Sequence, residues 1–166
     1  MTLKPLPAIP DDRLCRITVL NRQRLCKIDR KSVALFCTAL LRSLGVPDST
    51  LTIVLVRARE MRSINYRYLG RNYATDVLSF SYGKLKMEGV PFLGEIVIAP
   101  EIAANQAVRN KISPDKELRK LLVHGIVHLL GYDHETDRGQ MNRLQTNLLR
   151  RKFFLNSPSL MQSKAT

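Results

Sequence analysis

The three histidines of this chain all fall within the run His124-Gly125-Ile126-Val127-His128-Leu129-Leu130-Gly131-Tyr132-Asp133-His134, and none occurs elsewhere. The run demands a helix that stops abruptly. His124 and His128 are four residues apart, so an α-helix places their imidazoles one turn apart on one face. Gly131 then frees the backbone to leave the helix and carry His134 back as a third donor. Three neutral imidazoles leave tetrahedral zinc one open position, the arrangement of catalytic rather than structural sites. A hydrogen-bonded cluster of core histidines is the bland alternative, but burying three imidazoles without partners is costly. His124, His128 and His134 are therefore predicted to hold one metal ion, zinc or another imidazole-binding divalent cation.

The same positions resemble the metzincin protease motif His-Glu-x-x-His-x-x-Gly-x-x-His, with one difference. Where those proteases carry the glutamate that takes a proton from the attacking water, this chain has Gly125. A zinc peptidase needs a carboxylate base at that point, so the metal spacing is kept while peptide hydrolysis loses support.

A length of 166 residues with 45% hydrophobic side chains suits one domain with a real core. Residues 1–155 are read as a single metal-dependent hydrolase domain and 156–166 as a flexible tail. Lys and Arg number 27 against 14 Asp and Glu, a formal charge of +13 spread along the chain. Such a surplus favours polyanions, nucleic acid above all, through counterion release and steering. Cys15, Cys26 and Cys37 are odd in number and lack Cys-x-x-Cys spacing, so no disulfide framework and no disulfide-linked partner is expected, with Cys37 a small core residue. The leading segment, with Pro5, Pro7, Pro10, Asp11 and Asp12, lacks the apolar stretch of a secretion signal, and no run approaches the length of a membrane span. No membrane partner and a cytoplasmic location are the corresponding expectations.

The predicted fold is α/β: a mixed sheet of about four strands packed by helices, with a buried central helix carrying the metal. Residues 1–14 read as a Pro-rich extended lead, and 16–21, 50–57, 76–82 and 94–99 as strands. Residues 84–92, with Gly89 and Pro91, read as a loop. Asp29 caps a helix over 30–44, whose Val33, Phe36, Cys37, Leu40, Leu41 and Leu44 recur at helical spacing until Gly45 and Pro47. Further helices are expected over 58–69, ended by Gly70, over 100–110, and from Ser113-Pro114-Asp115 through His128. That last one is apolar nearly all round from 121 to 130 and should be the buried one. Residues 135–154 complete the set as an amphipathic helix.

With these elements placed, the chain resembles the YbeY family of metal-dependent endoribonucleases, which act in ribosomal RNA maturation. The resemblance rests on three runs: His124 to His134, matching His-Gly-x-x-His-Leu-x-Gly-Tyr-Asp-His; Asn65-Tyr66-Arg67-Tyr68 followed by Thr75-Asp76-Val77-Leu78-Ser79-Phe80; and Gly94-Glu95-Ile96. Ser81 stands where the family usually has Pro, Glu95 where Asp is common, and Tyr68 follows Arg67 rather than preceding it. The resemblance implies a zinc-dependent endoribonuclease acting on single-stranded ribosomal RNA in processing and ribosome quality control, with the small ribosomal subunit and its assembly factors as partners.

Independently of any family, a zinc centre suits phosphodiester cleavage because it polarises a phosphoryl oxygen and makes hydroxide available near neutral pH. Arg67 is a candidate to stabilise the charge gathering on phosphate, its alternative being a solvated helix charge. Asp133 has two readings, as the proton acceptor that Gly125 cannot be, or as a residue that orients an imidazole. Either the RNA 2′-hydroxyl or water can be the attacking group. Tyr66, Tyr68, Tyr73 and Tyr82 either stack on bases or pack on the protein. Two rival functions stand beside the nuclease: a zinc peptidase, and a noncatalytic RNA-binding assembly factor whose metal only fixes the fold.

Overall fold

Strand β2 (Thr50–Leu55) is buried at all but one position because it is paired on both sides and covered on both faces. Parallel partners flank it: β1 (Arg16–Asn21) on one side and β5 (Val90–Ile98) on the other. β5 then pairs antiparallel with β3 (Val77–Phe80), giving the order β1-β2-β5-β3. The structure, a computed structural model, describes residues 15–132, 138–151 and 156–162. The predicted lead over 1–14 lies outside them.

Strand alternation divides the core in two. Leu51, Ile53, Leu55, Ile96 and Ile98 face helices α1 (Arg30–Ser43) and α4 (Pro114–Leu129), packing with Phe36, Leu40, Leu122 and Ile126. Val54, Val97, Leu78 and Phe80 face the other way, onto Met61 and Ile64 of α2 (Ala58–Leu69). Helices α3 (Pro100–Arg109) and α5 (Gln140–Leu149) both lie against α4. Each fully buried Leu or Ile contributes about 1.5–3 kcal/mol relative to exposure, so the larger layer around α4 dominates stability.

The predicted α/β class and the buried central helix are both present. The helix ends follow from local chemistry. Asp29 accepts from the Lys31 and Ser32 amides to cap α1. Ser113 accepts from the Lys116 amide, with Pro114 in the first turn of α4. Asp115 and Glu117 there complement the helix dipole.

Three expectations need correction. The sheet has five strands rather than about four, because a two-residue strand β4 (Lys86–Met87) pairs with the start of β5 inside the predicted loop. Glu88 and Gly89, both at positive φ, make the tight turn that allows this, so β5 begins at Val90 instead of 94. Helix α5 spans Gln140–Leu149, entered through Gly139 at positive φ, rather than 135–154; residues 135–137 and 152–154 lie outside the described residues.

The third correction concerns the tail. Residues 156–162 are docked, with Leu160 fully buried and Met161 nearly so. The Asp29 amide donates to the Leu160 carbonyl at 3.0 Å, and the Gln162 amide to the Lys27 carbonyl at 3.1 Å. The segment is held to α4 by the carboxylate of Asp115, which accepts from the Leu160 and Met161 amides. Arg119, paired with Asp115 at 2.6 Å, donates to the carbonyls of Ser157 and Pro158. Two apolar residues and a buried ion pair hold a stretch whose polar composition reads as free.

Candidate metal centre

His124 and His128 sit in the last two turns of α4, half-buried, with ring centroids 4.5 Å apart and planes at 81°. The helical period predicted this adjacency, and the rings meet edge to face. The helix stops just beyond them. The Gly131 amide donates to the His128 carbonyl at 2.9 Å and the Tyr132 amide to that of Val127 at 3.3 Å, with Gly131 at φ 92°. This is the left-handed exit expected of that glycine, and it turns the chain back immediately after the second histidine. Asp133 and His134 lie outside the described residues. Among the described residues no three His, Cys, Asp or Glu side chains gather as a metal site, and the structure brings together two of the three predicted ligands.

Gly125 is explained by packing. A Cβ there would lie 2.8 Å from Cδ1 and 2.9 Å from Cγ2 of Ile96, well inside carbon contact distance. Position 125 points into the sheet, and α4 lies on β5 so closely that even a methyl there would force the Ile96 side chain to shift. A glutamate in the protease position would have to enter that contact, which removes the carboxylate base on which peptide hydrolysis depends. Gly94 serves the same approach from below: its Cβ would fall 2.1 Å from the Phe80 carbonyl oxygen and 2.9 Å from Leu129.

One contact at the centre had no signal in the sequence. Gln145, on α5, places its side-chain amide 3.0 Å from Nδ1 of His124. Met141 and Leu148 anchor α5 in the core, and Gln145, four residues beyond Met141, shares their face. Nothing in a single polar residue of an amphipathic helix announces the neighbour it will meet.

Arg67 is exposed in the last turn of α2, on the opposite side of the sheet from α4. It shares that surface with Arg59, Arg62 and Tyr66, all solvent-facing. The four tyrosines are 49–62% exposed, which places them at the rim rather than in the core. Tyr68 leans on Phe80 with centroids 5.0 Å apart, and Tyr82 stacks on Phe92 at 5.6 Å. The Tyr82 hydroxyl donates to Glu95 at 3.0 Å; burial pushes that phenol up, and the carboxylate beside it adds to the rise.

No helix among the described residues is long and apolar enough to cross a membrane. The sequence model of the family described as endoribonuclease YbeY matches residues 18–152. An endoribonuclease YbeY from Syntrophus aciditrophicus is 35% identical over 141 residues, covering 84% of this chain and 88% of that protein. One from Alkaliphilus metalliredigens is 34% identical over 144 residues, covering 80% and 92%. The solution structure of TM1509 from Thermotoga maritima superposes with a TM-score of 0.58 at 26% identity, over 80% of this chain and 86% of that one. With the match running from the first strand past the end of α5, this chain belongs to the YbeY family.

Proposed function

We propose that this chain is a zinc-dependent endoribonuclease that cuts single-stranded ribosomal RNA in the cytoplasm, during processing and quality control of the small ribosomal subunit. The observation that carries the reading is the pair of imidazoles, 4.5 Å apart on the terminal turns of α4, in a member of a family named for endoribonuclease activity. The donor set fits zinc: two imidazoles stand one helical turn apart, Gly131 ends the helix just beyond them, and His134 is the proposed third donor. A zinc ion bound there supplies Lewis acidity toward a phosphoryl oxygen and water of lowered pKa.

The chain's own residues do the rest. His124, His128 and His134 hold the ion. Asp133 takes the proton that Gly125, facing Ile96, cannot. Arg67 lies across the sheet from the histidines and is assigned to the RNA backbone, where its planar guanidinium grips phosphate in two places. Arg59, Arg62 and Tyr66 extend that surface, and the charge of +13 draws the strand in. Recognition runs through backbone charge and base stacking rather than base edges. The small subunit and its assembly factors are the proposed partners.

Elemental analysis of the purified protein followed by incubation with a labelled single-stranded RNA tests this. The expected result is about one zinc per chain and cleavage that a chelator stops and zinc restores. His128→Ala and Asp133→Asn should abolish cutting, the latter with zinc retained, while Arg67→Ala weakens RNA binding and its salt dependence. Zinc-loaded protein that binds RNA without ever cutting it would replace the enzyme with a noncatalytic assembly factor.

A further inference from the structure

We propose that Gln145 is a positioning residue for His124. The inference rests on the reading of His124 as a ligand. A neutral imidazole carries one proton, on one nitrogen or the other, and only the bare nitrogen can bind a cation. The Gln145 amide occupies the Nδ1 side of the ring at 3.0 Å, leaving Nε2 as the nitrogen for the ion.

A glutamine side chain can offer Nδ1 either an amide nitrogen, which donates to a bare ring nitrogen, or an amide oxygen, which accepts from a protonated one. For Nε2 to bind, the proton must be on Nδ1, and the group facing Nδ1 must accept. Oε1 of Gln145 at Nδ1 supplies that acceptor and needs no backbone movement to do so. Glutamine therefore satisfies both forms of His124. A carboxylate at 145 serves only the metal-ready form, and a methionine of similar length serves neither.

Helix α5 makes the contact specific. Buried Met141 and Leu148 fix the face of α5 that meets α4, so Gln145 is held at the ring by two core anchors. Partners of this kind on metal-binding histidines typically change affinity by about 10–100-fold.

The test uses the full chain as wild type, Gln145→Met and Gln145→Glu. Zinc affinity is read by competition with a chromophoric chelator, folding by circular dichroism, and ring protonation by nitrogen-15 shifts of labelled histidine. Gln145→Met should keep the fold and bind zinc about 10–100-fold more weakly. Gln145→Glu should bind at least as tightly as wild type, and zinc-bound His124 should carry its proton on Nδ1 in wild type and in Gln145→Glu. Unchanged affinity in Gln145→Met, or equal losses in both variants, overturns the inference while the metal reading stands. Failure of the wild type itself to bind zinc overturns both, and is seen before any variant is made.

Discussion

Replacing Gly125 with alanine tests whether helix α4 is seated on β5 as tightly as the geometry requires. The new methyl would meet three carbons of Ile96 at 2.8, 2.9 and 3.1 Å, against an optimal separation of roughly 3.5–4.0 Å. Overpacking of this kind costs about 1–3 kcal/mol. Glycine is about 1 kcal/mol worse than alanine inside a helix, which offsets part of that, so the net loss in the wild-type background should be about 0–2 kcal/mol. The decisive comparison is with Ile96→Ala, which alone removes a fully buried side chain and costs about 2–5 kcal/mol. In that background the methyl enters space that Ile96 has vacated, and Gly125→Ala should stabilise by about 1 kcal/mol. The double-mutant cycle thus predicts a coupling of about 1–3 kcal/mol, favourable to the pair. Urea unfolding followed by far-ultraviolet circular dichroism supplies all four stabilities, a suitable probe for a chain without tryptophan. Equal effects of Gly125→Ala in both backgrounds, within about 0.5 kcal/mol, would refute the contact and with it the steric account of the missing glutamate.

Three further outcomes are expected. Leu160→Ala should destabilise by about 2–5 kcal/mol in the same assay, and a change below about 0.5 would show that 156–162 is not docked. Burial pulls the Asp115 carboxyl upward, but donors from Arg119 and the Leu160 and Met161 amides outweigh it and hold it below the usual carboxylate range. Its contribution is therefore complete above roughly pH 4 and is lost as pH falls through the lower folded-state value. The stability gap between wild type and Asp115→Asn should narrow from pH 6 to pH 3, and a gap independent of pH contradicts this. Burial pushes the Cys37 thiol up to about 12, so at pH 8 a disulfide reagent should modify it only as fast as the protein unfolds, and rapid labelling of Cys37 in the native state would refute its place in the core.

Features governed by short-range rules were legible before the fold was seen. Asp29, Ser113-Pro114 and Gly131 act through their own neighbours in the chain, and His124 and His128 through a single helical turn, so each followed from spacing. The buried character of α4 was also plain, because a helix apolar all round has nowhere else to go. Features made by distant partners were not legible. β4 is two residues long and exists only because the Glu88-Gly89 turn folds it onto β5. Leu160 and Met161 are too few to make a pattern, and their anchor, Asp115, lies in another helix. Gln145 meets His124 across 21 residues. Gly125 stood out as an absent glutamate, but that Ile96 excludes a side chain there is a statement about two packed surfaces.

The parallel pairing of β1 with β2, and of β2 with β5, also orders events in time. Parallel neighbours need long crossovers, so the sheet cannot close until residue 98 has been made, and such non-local pairing is slow to form. Every imidazole is synthesised after that point, and the glutamine beside His124 later still. During translation, a ribosome therefore extrudes the sheet first and the paired imidazoles of α4 last.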